Sequence, residues 1–339
     1  MQELKKTMQQ IVERGRGILA ADESLNTIGK RFTGIQVENT EENRKAYREL
    51  LFSTKDLGDF ICAVILFEET LMQKAKDGRT FPEILESQGI LPGIKVDKGL
   101  VPLISLSNSR DEEKVTQGLD GLAERLVKYK KLGARFAKWR AVFDIDDHRP
   151  SMLAIKTNAE LLARYAAICQ SQGIVPIVEP ELLMDGSHTI ERCESATEHV
   201  LHSVFHALHR HHVQLELMIL KPSMVISGKQ CSKQASSDEI AQATLRVLLR
   251  TVPAAVPSIN FLSGGQSAEF ATANLNAMNA QYPHAPWNLS FSYGRALQEP
   301  ALEAWHGRPE NVLKAQEALY KRAKLNSIAC QGKYKADLE

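Results

Sequence analysis

The chain has 339 residues, with 42 lysines and arginines against 41 aspartates and glutamates, a formal charge of +1, 43% apolar residues and 24% charged ones. That composition supplies apolar surface for a large core, which excludes a disordered chain, and its charge balance excludes a globally basic nucleic-acid wrapper. The longest apolar run, Ile61 to Phe67, is far too short to cross a bilayer, so no membrane span is expected.

The first segment places Leu4, Met8, Ile11 and Val12 on one helical face and lacks the apolar stretch of a secretory signal. Lys5, Lys6, Arg14 and Arg16 leave a mitochondrial presequence open, but Glu3 and Glu13 interrupt it, and a docked first helix of a cytoplasmic protein is the expectation. Five scattered cysteines (Cys62, Cys169, Cys193, Cys231 and Cys330) show no CxxC spacing and fit free thiols in a reducing compartment. Strand-like runs follow at 17–22, 60–67, 93–96, 134–140, 174–179, 215–221, 258–263 and 289–293. Helical periods lie between and after them at 41–52, 117–131, 158–172, 190–210, 238–251, 267–280 and 299–329. No linker or repeat divides the chain, so residues 1–339 are expected to form one domain, with a short tail from about 330. Alternating strands and helices of this number predict an α/β fold, a single-domain (β/α)8 TIM barrel. A doubly wound open sheet is the alternative, though no Gly-rich dinucleotide turn follows the first strand.

Barrel active sites lie at the carboxyl ends of the strands, and charged residues gather there. They are Asp22, Lys95, Lys138 with Arg140, Glu179 with Glu181, Lys221, Ser263-Gly264-Gly265, and Gly294-Arg295. An amine at the end of a buried strand, as at Lys221, is desolvated and shifted toward a neutral nucleophile able to form a Schiff base; a second amine such as Lys138 would push it the same way. Taken singly, each feature has a plainer reading. Lys221 could be a surface lysine halted by Pro222; the period of two turns Lys138 and Arg140 toward the lumen and packs the Trp139 indole outward under helices, but the triplet could equally be a salt-bridged rim. Glu179-Pro180-Glu181 could be a solvated loop, Asp22 a helix N-cap, and Ser263-Gly264-Gly265 an ordinary turn. Together with Lys95, Lys30 and Arg31, however, the glycine turn and Arg295 point to a substrate with two phosphates.

The strings ILAADES (18–24), TEENR (40–44), GIKVDKG (93–99), FAKWR (136–140), GIVPIVEPE (173–181), LKPSM (220–224), FLSGGQS (261–267) and FSYGRALQ (291–298) closely resemble class I fructose-1,6-bisphosphate aldolases. The similarity runs in order from about Ile11 to Tyr334. It implies a lyase that reversibly cleaves fructose 1,6-bisphosphate to dihydroxyacetone phosphate and glyceraldehyde 3-phosphate, in glycolysis and gluconeogenesis. By resemblance Lys221 is the Schiff-base lysine, Glu179 the acid/base for carbinolamine dehydration, and Lys138 a supporting cation. Asp22 accepts the C4 hydroxyl proton, and Glu181 and Arg140 orient the groups around them. Ser263, Gly264, Gly294 and Arg295 match one phosphate site, with Gly265 in the same turn. Ser24, Thr27, Lys30, Arg31 and Lys95 lie at positions near the phosphates, and Ser292 matches a position lining the site. The resemblance also implies a cytoplasmic homotetramer acting on small sugar phosphates, without a metal or other cofactor.

Three departures from the family pattern stand out. Thr27 replaces a serine, Ser223 replaces the asparagine of the usual Lys-Pro-Asn, and the sequence ends at Glu339 without the terminal tyrosine found in many members. Slower enamine protonation, or the use of another acid, would follow if that tail is absent. His202 and His206 have the spacing of a metal pair, but six histidines between 199 and 212 fall on or just after one outer helix, where a solvated face is the expectation. Another imine-forming aldolase or transaldolase, and a binding scaffold on the same fold, remain alternative functions.

Overall fold

Eight parallel strands close on themselves in chain order. They are β1 (Gly17–Ala21), β2 (Ile61–Leu66), β3 (Leu91–Lys95), β4 (Phe136–Phe143), β5 (Val175–Leu182), β6 (Ile219–Leu220), β7 (Ser258–Phe261) and β8 (Asn288–Tyr293), with β8 pairing back to β1. The structure, a computed structural model, describes residues 1–104 and 113–339. Helices pack outside the barrel, and a small antiparallel hairpin, Leu100–Pro102 with Lys114–Thr116, stands beyond β3. Among the described residues no helix is long and apolar enough to cross a membrane.

The period of two along a strand explains where the charges end up. Ile18 and Ala20 of β1, Phe136 of β4, Val175 and Ile177 of β5, and Leu217 and Ile219 leading through β6 form one buried cluster in the barrel interior. The first helix, Gln2–Ile11, closes its lower end with Leu4, Met8 and Ile11. Two residues further up each strand, on the same face, stand Asp22, Lys138, Glu179 and Lys221. Trp139 has the opposite parity, is fully buried, and packs against Tyr165 at 5.5 Å between ring centroids. The interior is tightly filled: a Cβ on Gly93 would lie 2.2 Å from the Phe136 ring. Gly93→Ala is therefore expected to lower stability by about 1–3 kcal/mol through overpacking, read as a lower guanidinium midpoint at unchanged m-value.

Several boundaries differ from those the sequence predicts. The single helix expected at 299–329 is two, Arg295–Trp305 and Val312–Ala329. His306 and Gly307 take positive φ between them, and Pro309 follows. The helix expected from Asn158 runs from Met152 to Ser171 and is capped by Ser151, whose side chain accepts from Ala154 N–H. Asn158 is instead fully buried inside it, donating to the carbonyls of Lys114 and Ala154. The helix expected from Gln117 starts at Leu122, after positive-φ glycines at 118 and 121. β6 has only two residues, preceded by a 3-10 turn at Leu215–Leu217, so Lys221 stands just past its end. β5 continues through Glu179-Pro180-Glu181, which is strand rather than loop. Pro180 is tolerated because β6 stops after pairing with Ile177 and Val178 and lays no ladder beside it. All five cysteines are free, and four of them are buried.

Candidate active site

Every candidate residue from the sequence lines one cavity of about 1150 Å³ at the carboxyl ends of the strands: Asp22, Ser24, Thr27, Lys30, Arg31, Lys95, Lys138, Arg140, Glu179, Glu181, Lys221, Ser263, Gly264, Gly265, Ser292, Gly294 and Arg295. At its floor four ionisable groups alternate in sign. Asp22 Oδ2 is 2.8 Å from Lys138 Nζ, which is 3.2 Å from Glu179 Oε2; Glu179 Oε1 is 3.2 Å from Lys221 Nζ. The side chains of Lys138, Glu179 and Lys221 are 4–5% exposed, so their Coulomb attraction is little screened. Glu179 Oε2 faces Lys138 without hydrogen-bond alignment, an ion contact with a free lone pair. The two amines are separated by a carboxylate, so each has an opposite charge as its nearest partner.

The direction of titration follows from these contacts. Burial alone would raise the Asp22 carboxyl, but attraction to Lys138 and then Lys221 overrides it and holds Asp22 well below the usual carboxylate range. Burial alone would lower Lys138, but Asp22, Glu179 and Asp97 override it and push the ammonium well above its ordinary value. Asp22 is thus held ionised beside Lys138, and it is not an N-cap. The cap of the following helix, Leu25–Gly34, is Ser24, whose Oγ accepts from Thr27 N–H and stands 3.0 Å from Thr27 Oγ1. Thr27 therefore presents a hydroxyl in contact with the Ser24 hydroxyl at the cavity wall. That helix, which the sequence reading did not anticipate, carries Lys30 and Arg31 to the rim.

On the β7–β8 side, Gly264 and Gly265 line the cavity and take successive positive φ of 53° and 86°, a backbone that glycine adopts without strain. Gly294 begins the helix Arg295–Trp305 without a side-chain cap, which leaves its first N–H groups open to an anion. Arg31 reaches across the β1/β8 seam, its Nη2 3.7 Å from where a Cβ on Gly294 would sit. The Ser292 hydroxyl is buried and has no hydrogen-bond partner among the described residues. Ser223 does not line the cavity: its Oγ accepts from Leu182 N–H at 2.9 Å and donates to Leu182 O at 3.0 Å, tying the loop after β6 to the end of β5.

Four acidic residues that line the cavity escaped sequence reasoning, Glu23, Asp97, Glu299 and Glu303, and the first two stand beside candidate residues. Asp97 binds Lys95 at 2.8 Å. Glu23 is buried between Arg31 and Arg48, with Gln298 Nε2 donating to it at 2.8 Å and to Ala20 O at 2.6 Å. Their signal was available in Asp22-Glu23-Ser24 and Lys95-Val96-Asp97, where acidic neighbours sit beside predicted site residues. Arg140 pairs with Glu181 on the adjacent strand. The histidine-bearing helix, Ile190–Arg210, lies outside the barrel, and among the described residues no group of three or more His, Cys, Asp or Glu could hold a metal ion.

A closed (β/α)8 barrel whose mouth holds an amine–carboxylate chain between cationic walls is an enzyme architecture for small anionic substrates. The family model for Fructose-bisphosphate aldolase class-I, described as glycolytic, matches residues 3–339. A fructose-bisphosphate aldolase of Echinococcus multilocularis is 54% identical over 340 residues, covering 100% of this chain and 93% of that protein. A probable class 1 fructose-bisphosphate aldolase of Xanthomonas campestris is 54% identical, with 99% of each chain covered. A solved structure of fructose-bisphosphate aldolase from Plasmodium falciparum, in complex with TRAP and a small-molecule inhibitor, superposes with a TM-score of 0.96 at 55% identity, covering 99% of this chain and 96% of that one. The chain belongs to the class-I fructose-bisphosphate aldolase family. It is a carbon–carbon lyase.

Proposed function

We propose that Lys221 is the nucleophile and that the chain Asp22–Lys138–Glu179–Lys221 carries the reaction. The observation behind this reading is the contact of one buried carboxylate, Glu179, with both buried amines at 3.2 Å. Glu179 takes a proton from the Lys221 ammonium, and the neutral amine adds to the C2 carbonyl of fructose 1,6-bisphosphate. Protonated Glu179 then returns that proton to the carbinolamine hydroxyl, which leaves as water and gives a protonated imine. Ionised Asp22 accepts the C4 hydroxyl proton. The C3–C4 bond breaks, its electron pair moves into the imine to form an enamine, and glyceraldehyde 3-phosphate leaves. Protonation of the enamine carbon and hydrolysis release dihydroxyacetone phosphate and the free amine.

Lys138 keeps its positive charge throughout and stabilises whichever of Asp22 and Glu179 is ionised. Arg140 and Glu181 fix the wall beside Glu179. The Ser263-Gly264-Gly265 turn with Gly294 and Arg295 takes one phosphate, Ser24, Thr27, Lys30, Arg31 and Lys95 take the other, and Ser292 is free to bond a substrate oxygen. The reaction in this reading uses no metal and no other cofactor. Residues 1–339 act as one domain, in a cytoplasmic homotetramer serving glycolysis and gluconeogenesis; sedimentation of the purified protein tests the assembly, with a monomer as the contrary result.

Borohydride reduction in the presence of dihydroxyacetone phosphate is expected to leave a stable adduct on the peptide containing Lys221. An adduct on any other lysine, or none, would overturn the assignment.

A further inference from the structure

The loop after β6 brings a cation to the phosphate turn that the motifs do not include. Lys229 lies eight residues beyond Lys221. Its backbone is pinned: Gly228, Lys229 and Gln230 donate to the carbonyls of His188, Met184 and Gly186 at 2.8, 2.7 and 2.9 Å. A Cβ on Gly228 would lie 2.3 Å from Gly186 O, so only glycine lets these segments approach this closely. From this fixed base the Lys229 side chain extends to the turn after β7. A Cβ on Gly265 would meet Lys229 Nζ, Arg295 Nη2 and Met184 Sδ, each at 3.2 Å. The amine and the guanidinium therefore converge on the same glycine, close enough for the oxygens of one phosphate to face both.

Lys229 also has little to hold it away from an anion. Its partner is Asp185, 3.1 Å away, with side chains 46% and 69% exposed, and a pair this exposed is weak and easily exchanged. The turn stands beside the nucleophile, because Leu262 N–H donates to Pro222 O at 3.1 Å. If the turn takes one of the two phosphates as proposed above, its nearness to Lys221 makes that the phosphate on the carbon next to C2.

We propose that Lys229 is a specificity-determining residue, a second cation beside Arg295 that leaves Asp185 to close over the phosphate on the carbon adjacent to the reacting ketone. This rests on the assignment of Lys221 and the glycine turn above. Lys229 reads the charge of a ketose or triose phosphate at that carbon, favouring the dianion, and touches none of the bonds being made or broken.

The half-saturating concentration of dihydroxyacetone phosphate in the borohydride trapping reaction tests it. Lys229→Gln is expected to raise that concentration about three- to fivefold, with the maximal trapping rate unchanged, and inorganic phosphate should weaken as a competitor by the same factor. The ratio should shrink toward one near 1 M salt, Lys229→Arg should restore binding, and Asp185→Asn should tighten it. The exposed Lys233→Gln variant carries the same loss of charge and should behave as the unaltered chain. Equal half-saturation in Lys229→Gln and Lys233→Gln overturns the role of Lys229, as does no tightening in Asp185→Asn. No trapping in the unaltered protein overturns the Lys221 assignment instead, so the two failures are distinct.

Discussion

The Lys221→Met protein is expected to fold and to cleave fructose 1,6-bisphosphate at least about 10⁴-fold more slowly than the unaltered chain, with no borohydride adduct at all. Methionine matches the length of the lysine stem and is apolar, so it suits a position that is 3% exposed. The substitution removes one of the two cations on Glu179 but leaves Lys138 in place at 3.2 Å, so no buried charge loses its last partner. Without an amine the C3–C4 bond has no protonated imine to receive its electrons, and neither Asp22 nor Arg295 can supply that sink. Circular dichroism and a denaturation midpoint close to those of the unaltered protein establish that the loss is chemical. Turnover within tenfold of the unaltered chain, on folded protein, would place the nucleophile elsewhere.

Much of this site is legible in the sequence because the rules that make it are local. A strand alternates with period two, so apolar runs ending in Lys-Trp-Arg or Glu-Pro-Glu announce which charges share the interior face with the core below them. Ile18, Ala20 and Asp22 form such a line, as do Phe136 and Lys138. Strand order then follows from a closed barrel, and the converging ends come with it.

What the sequence concealed depends on contacts between distant segments. The break between Trp305 and Val312 is set where Gly307 passes within 2.6 Å, at its missing Cβ, of Val37 from another part of the chain. The burial of Glu23 between Arg31 and Arg48 needs three helices and strands to meet, and nothing in a string of residues reports that meeting. Placement of Glu179 between Lys138 and Lys221 is of the same kind: proximity of the two amines was expected, but the carboxylate separating them comes from the pairing of β4 with β5 and of β5 with β6. Lys229 is the extreme case, a surface lysine by every local criterion that acquires a site only from the turn of the neighbouring strand.

Lys138→Met should combine a loss of turnover of about 10²- to 10⁴-fold with a loss of stability that depends on pH. Lys138 is the cation between Asp22 at 2.8 Å and Glu179 at 3.2 Å; its removal leaves Glu179 paired with Lys221 but takes from Asp22, whose side chain is 13% exposed, its ion pair, at a cost of about 3 kcal/mol. In the unaltered protein Asp22 is held below its ordinary value of 3.8, so its stabilising contribution is complete above about that pH and is lost as pH falls through the lower folded value. Lys138 is raised above 10.5, so its contribution is complete below that pH and is lost as pH rises through the higher folded value. Neutral pH lies inside both windows. In the variant the opposing attraction of Lys138 is gone, burial counts more heavily, and Asp22 titrates at a higher pH than before; protonation then relieves the penalty. The stability difference between the two proteins should accordingly be largest near neutrality and narrow as the medium is acidified through the variant's Asp22 titration. Urea unfolding across the pH range reads this directly. A difference that stays constant or widens toward acid would mean that Lys138 does not hold Asp22 ionised, while Lys138→Arg should fail to restore turnover because a planar fork cannot replace a compact ammonium in a space this closed.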